Sequence, residues 1–321
     1  MLKIGMLSKW HVHADGYAEQ INNHPNAEIT AVWDEDSARG QAWARELGVK
    51  FYEDYDAFLA SDIQAVVCDA PTTMHREVLV KAAQAGKHIF TEKLLATTNE
   101  DAQAIAEAIK QAGVTFTISL PVKCNPAVLY VKDLIDTGKL GRVTGARFRR
   151  SHSGVSNNWL PDYWFDTTAT GGGAFMDLGA HPVYIMAGLL GAPQRVTALM
   201  SNLYGTSGDE NAIALAEFEG GVLATMETAF VTEGVPDLLE VYGTGGAVFM
   251  RGEQLCQNLG EGMEEVLILP QAPENPLGQF MQACADGAAE APGLGLEDAL
   301  VMTRIVEAAY AAEQSGGTVV L

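Results

Sequence analysis

Hydrophobic and polar positions along the chain fall into two regimes. Up to residue 119, short apolar runs alternate with longer segments in which apolar residues recur every three or four positions. The runs at 2–7, 28–33, 65–68, 88–91 and 114–119 predict strands, and the periodic segments at 17–21, 37–47, 75–85 and 99–111 predict helices. Residues 22–26 form a polar break, and Gly48, Gly86 and Gly113 stand where three of the helices must end. Strict β-α alternation over short connections predicts a parallel sheet with helices on both faces, the doubly wound α/β arrangement.

The pattern changes after a linker at 121–126. A helix is predicted at 127–136, closed by Gly138 and Gly141, and a strand at 143–150. Strand-like segments at 196–203, 212–219, 222–230 and 238–242 follow, with Gly220-Gly221 and the glycine-rich turn at 243–246 between them. These are hairpin signals. They predict an open, mostly antiparallel sheet with one face on helices and one free for another subunit, hence a homodimer or homotetramer. Helices are predicted at 276–285 and 295–314, and a last strand at 318–321. The length accommodates two cores, so we divide the chain into domains at 1–120 and 121–321, with the helix at 295–314 packing back on the first.

Charge narrows the function. Lys plus Arg number 20 against 41 for Asp plus Glu, a net charge of −21, which disfavours nucleic acid and anionic membrane surfaces as partners. An anionic cofactor must then be held by local backbone N–H groups and a few placed cations. Cys68, Cys124, Cys256 and Cys284 are widely spaced, which predicts reduced thiols and a cytoplasmic protein. The apolar run at the N-terminus is too brief for a signal peptide. The best membrane candidate, 183–192, has about half the roughly 20 residues a span needs.

Candidate chemistry concentrates in 171–181, where three glycines precede Asp177 and His181. On one helix that spacing puts a carboxylate and an imidazole on one face. Pro182 means either a kink or a helix that begins only near Leu178 or Gly179. The plainer alternative is a capping aspartate and a satisfied core histidine. In the first strand-turn-helix, a dinucleotide fingerprint would place glycines three and five residues after Gly5, but Ser8 and Trp10 stand there. Backbone N–H groups at a helix start, with Ser8 and His11 or His13 beside them, meet the same need. Asp34, at the end of the second strand, suits a ribose diol and repels a 2′-phosphate, which favours NAD over NADP. Arg39, just beyond it, is grouped with the cofactor residues. His11 and His13 have no third ligand in view, so no metal is expected.

Three stretches carry a resemblance: Ala70-Pro71-Thr72-Thr73-Met74-His75, then 85–93 ending in Glu92-Lys93, then 171–181. In this order they resemble the Gfo/Idh/MocA family of NAD(P)-dependent oxidoreductases over nearly the whole chain. The resemblance implies an N-terminal Rossmann domain and a C-terminal α+β domain on a mixed, largely antiparallel sheet. It implies that Lys93 lies in the family's Glu-Lys-Pro motif, although Leu94 replaces the proline, and contacts nicotinamide ribose and substrate. It assigns acid-base work to His181, binding or orientation to Asp177, and the loop beside the nicotinamide to Pro71, Thr72 and His75. Lys123 matches a basic residue placed over the active site. Trp159 and Tyr163, in the aromatic run 157–166, read either as a lid that stacks on a sugar or as part of a subunit contact. The implied activity is hydride transfer between NAD and a secondary alcohol of a sugar, inositol or related polyol. Two alternatives stand beside it: a non-catalytic nucleotide- or sugar-binding regulator, and NAD-assisted elimination or epimerisation without net redox change.

Overall fold

A computed structural model describes every residue, Met1–Leu321, and the chain divides into two units, Met1–Ser119 with Glu274–Leu300, and Leu120–Pro273 with Val301–Leu321. The first unit runs β1 (Leu2–Leu7), α1 (Ala14–Asn22), β2 (Ala27–Trp33), α2 (Ser37–Leu47), β3 (Lys50–Tyr52), α3 (Tyr55–Leu59), β4 (Ala65–Cys68), α4 (His75–Gln84), β5 (His88–Thr91), α5 (Asn99–Ala112) and β6 (Phe116–Ile118). Its six strands are parallel in the order β3-β2-β1-β4-β5-β6. The order reverses between β1 and β4, so their following loops diverge there and open a crevice. The doubly wound expectation holds. Both β3 and α3 were absent from the sequence reading, because each is too short to show a period.

In the second unit come α6 (Pro126–Asp136), β7 (Val143–Ser151), α7 (Thr167–Thr170), α8 (Ala180–Leu190), β8 (Arg195–Ser201), β9 (Asn211–Phe218), β10 (Val222–Ala229), β11 (Leu238–Gly243), β12 (Ala247–Arg251), β13 (Gln254–Asn258) and β14 (Glu264–Glu265). Then follow α9 (Pro276–Asp286), α10 (Leu296–Ser315) and β15 (Val319–Val320). The nine-stranded sheet has the order β14-β13-β12-β11-β7-β10-β9-β8-β15. Only β7 and β10 pair in parallel, so the open, mostly antiparallel sheet is as expected. β12 to β14 extend it beyond the hairpins read from sequence, since polar residues such as Gln254, Gln257 and Asn258 hide the alternation.

One boundary differs from the sequence reading, which sent the helix at 295–314 back to the first domain. The structure keeps only the start of α10 there, up to Leu300, and adds all of α9. Asn275 caps it by accepting from Gly278 N–H, and Leu277, Phe280 and Met281 enter the core of the first unit with Ile4, Val67 and Phe90. These three fall on one helical face, the stripe by which α9 packs. Beyond Leu300, α10 belongs to the second unit, where Glu313 accepts from Met200 N–H at 3.2 Å. Phe280 is fully buried, 5.8 Å from Phe90 between ring centroids. Phe280→Ala is expected to lower stability by about 3–5 kcal/mol in urea unfolding, the range for a large aromatic removed from a core.

Candidate active site

In the second unit, Gly171 ends α7 in the left-handed conformation, φ 80°, while Gly172 and Gly173 are dictated by packing. A Cβ on Gly173 would stand 2.1 Å from the Asp209 carbonyl oxygen, and one on Gly172 would stand 2.5 Å from Tyr310 Oη. Only glycine lets these backbones meet. Asp209 then accepts from Gly173 N–H at 3.0 Å and Phe175 N–H at 2.7 Å, while Tyr310 donates to Asp209 at 2.6 Å and accepts from Gly173 and Met176 N–H, both at 3.1 Å. Burial first, then the Asp209 charge and hydrogen bond, push the Tyr310 phenol well above its ordinary range, so it stays a donor.

This clamp leads directly into Asp177 and His181. Helix α8 starts at Ala180 with Gly179 as its N-cap, so Asp177 precedes the helix and the one-face argument does not apply. Of the two geometries Pro182 allowed, the late start is the one adopted: Pro182 sits in the first turn, where a missing N–H leaves no carbonyl unpaired. Asp177 accepts from Trp164 Nε1–H at 3.1 Å. His181 is buried, with Nδ1 2.6 Å from Tyr184 Oη, and the same oxygen accepts from Val122 N–H at 3.1 Å. In the tautomer with the proton on Nδ1, the ring donates to Tyr184 and Nε2 carries the lone pair. The stem of Lys123 passes Gly188, two turns along α8 from His181, its Cε 3.2 Å from where a Cβ would stand. Trp159 and Tyr163 are exposed, and Trp159 leans on His152, 4.8 Å away, which stacks on Phe230.

In the first unit, Gly5 serves packing, since a Cβ there would meet the Phe58 ring at 2.5 Å. Ser8 holds the left-handed conformation, φ 72°, that a glycine would adopt, and its hydroxyl accepts from Trp10 N–H at 3.0 Å. Trp10 is buried rather than lining an open loop. Helix α1 begins at Ala14 with no side-chain cap from His13, and the Ala14 N–H donates to the His11 carbonyl at 3.1 Å. Through Ser8 the glycine-poor loop keeps the left-handed backbone of a glycine ahead of a helix start. Asp34 is saturated: it accepts from Lys9 N–H and Asp36 N–H, both at 2.8 Å, and from Arg39 Nε and Nη2 at 3.0 and 2.7 Å. Arg39 also pairs with Glu35 at 2.5 Å. His75 is buried with its ring nitrogens 3.1 Å from the carbonyls of Leu95 and Ala70, so it ties the Pro71-Thr72 loop to the segment after Lys93.

At the end of β5, Glu92 is buried with Lys93, and the Lys93–Leu94 peptide is cis. Burial by itself pushes the Glu92 carboxyl up. The charges of His11 and His13 and of Lys93 outweigh it and hold the group well below the usual carboxylate range. Asp69 responds oppositely, pushed well up first by burial and then by the charge of Glu92.

Two family models match this arrangement. Residues 10–120 match an oxidoreductase family with an NAD-binding Rossmann fold, and residues 128–249 match the GFO/IDH/MocA C-terminal domain. The 2,7-anhydro-N-acetylneuraminate hydratase of Escherichia coli is 30% identical over 270 residues, 82% of this chain and 71% of that protein. The chain belongs to the Gfo/Idh/MocA family. The scyllo-inositol 2-dehydrogenase (NAD(+)) of Bacillus subtilis is 28% identical over 260 residues, 78% of this chain and 72% of that one. A solved levoglucosan dehydrogenase, in complex with NADH and levoglucosan, superposes with a TM-score of 0.85 over 99% of both chains at 20% identity, which establishes the shared fold.

This Gfo/Idh/MocA oxidoreductase therefore gathers its sequence-predicted residues into two groups. Ser8, His11, Asp34, Arg39 and Glu92 surround the loops after β1, β2 and β5, while Asp177 and His181 follow the glycine clamp. The sequence reading missed Tyr184, Trp164, Asp209 and Tyr310 as supports. Tyr184 was signalled by its i+3 spacing from His181; Asp209 and Tyr310 carried no local signal, because only the fold brings them to Gly173. Tyr310→Phe is expected to lower turnover about 10-fold while leaving NADH affinity within about 2-fold, measured by steady-state kinetics and fluorescence titration. An equal loss of both would mean a global defect.

Proposed function

We propose that the protein transfers a hydride between NAD and a secondary alcohol carbon of a sugar, inositol or related polyol. The observation that carries it is the Asp177 and His181 pair, each held by its own partner in a family whose relatives include an inositol dehydrogenase. A bound nicotinamide supplies the hydride acceptor. Ser8, Trp10 and His11 with the start of α1 hold the pyrophosphate, and Pro71, Thr72, Glu92 and Lys93 line the nicotinamide end. Nε2 of His181 takes the hydroxyl proton as the C–H bond gives up its electron pair, and the Tyr184 oxygen steadies the imidazolium that forms. Asp177 orients the substrate. Lys93 donates to the reacting oxygen, and Lys123, Trp159 and Tyr163 contribute contacts to the rest of the sugar.

NAD is preferred over NADP in this reading because Arg39, the cation nearest Asp34, is already neutralised by Asp34 and Glu35. A 2′-phosphate meets two carboxylates there. The enzyme works as a homodimer or homotetramer on the open sheet face. On β9, Ala212, Ala214 and Ala216 point inward while Ile213 and Leu215 are exposed beside Leu199 and Leu223, so the larger apolar side chains face outward. Burying each stabilises an assembly by about 1.5–3 kcal/mol. The four unpaired cysteines suit a reducing cytoplasm. No helix is long and apolar enough to cross a membrane.

A second reading keeps NAD but returns the hydride within one turnover, giving elimination or epimerisation; the 30% identity to a hydratase favours it. Accumulation of NADH with substrate separates the two. On a polyol that supports NADH formation, His181→Ala and Lys93→Ala are each expected to lower kcat at least about 100-fold. Retention of most turnover by both would overturn the assignment. Asp34→Ser, which releases Arg39, is expected to shift the NADH-to-NADPH affinity ratio toward NADPH by about 10-fold or more in fluorescence titrations.

A further inference from the structure

His11 and His13 lacked a third partner in the sequence, and the fold supplies one from 79 residues away. The ligand-bearing atoms of His11, His13 and Glu92 all lie within 4.8 Å of one another, and His13 Nδ1 is 2.8 Å from Glu92 Oε1. We propose that His11, His13 and Glu92 form a binding site for a divalent transition-metal ion of the zinc type.

Two imidazoles and one carboxylate are a donor set that such ions favour over magnesium or calcium, which prefer all-oxygen surroundings. Two ligand atoms on a tetrahedral zinc ion stand about 3.4 Å apart at bonds of about 2.1 Å, so the cluster, whose ligand atoms lie within 4.8 Å of one another, closes on an ion by side-chain movements of about 1–1.5 Å. The supports are already in place. Tyr17 donates to the same Glu92 oxygen that His13 meets, and its hydroxyl is 2.8 Å from Ser119 Oγ. The other Glu92 oxygen accepts from Lys93 N–H at 3.1 Å, and His13 N–H donates to His11 Nδ1 at 3.2 Å. Partners of this kind orient metal ligands and strengthen binding. The rings of His11 and His13 are 4.6 Å apart, an arrangement that costs repulsion if both carry protons and none if both ligate. Entry is open from one side, since His13 is exposed while His11 and Glu92 are buried.

A second observation points to a cation. Asp69 is fully buried, and neither of its carboxylate oxygens has a hydrogen-bond partner in the protein. Its backbone carbonyl accepts from His11 N–H at 3.0 Å, which fixes the unpartnered acid beside the cluster.

The proposal does not depend on the dinucleotide reading, so the test uses the full-length protein free of nucleotide. Chelator-treated protein is titrated with zinc chloride by calorimetry and, separately, with cobalt chloride by visible absorption. One zinc per chain is expected, with affinity reduced at least about 100-fold in His13→Ala and in Glu92→Gln. The cobalt spectrum is expected to show nitrogen and oxygen ligation without thiolate charge-transfer bands. Because His13 is exposed, His13→Ala retains the fold, which circular dichroism verifies. Absence of stoichiometric zinc, undiminished binding by His13→Ala, or a thiolate signature that traces the ion to a cysteine would each overturn the site.

Discussion

Contact between the backbone of Gly173 and that of Asp209 is the constraint from which the second unit's chemistry follows. No side chain fits between them, and the clamp made by Asp209 and Tyr310 then fixes the backbone N–H groups of Gly173, Phe175 and Met176 ahead of Asp177. The glycines thus work by letting protein approach protein. A carboxylate and an imidazole on a chain with this many glycines would otherwise sample many arrangements, and catalysis by positioned groups tolerates little displacement. Trp164 and Tyr184 finish the task by holding Asp177 and His181 one at a time.

The first unit solves a different problem, the burial of acidic groups in a chain of net charge −21. Asp34 is wholly consumed by two backbone donors and a two-pronged arginine, and in that role it ties the β1 loop to the start of α2. Glu92 is held by imidazoles, a phenol and a backbone N–H. A buried charge with this many partners is tolerated, and one without them is not. Asp69 is the exception in the same neighbourhood, and its lack of partners sets it apart from every acid around it. The loop that dispensed with fingerprint glycines therefore sits in an unusually structured polar setting, with Ser8 taking the left-handed backbone and histidines filling later positions.

The β-α alternation to residue 119, the hairpins after 195 and the place of Lys93, Asp177 and His181 were all legible in the sequence, because each is written in local spacing. Periodicity of two or 3.6 residues reports burial directly, and turn glycines mark where it is interrupted. What spacing does not encode is which distant segment fills a given contact. The return of α9 to the first core, the pairing of Asp209 and Tyr310 with Gly173, the saturation of Asp34 and the delivery of Glu92 to His11 and His13 all join residues far apart in the chain. Pro182 shows the boundary within one element: its ring allowed a kink or a late helix start, and α8 starts late, at Ala180, with Gly179 packed closely on Phe175. The sequence alone determined the fold class, most of the elements and the family, since these depend on neighbours along the chain. The tertiary structure alone decided which distant residues meet, since that depends on neighbours in space.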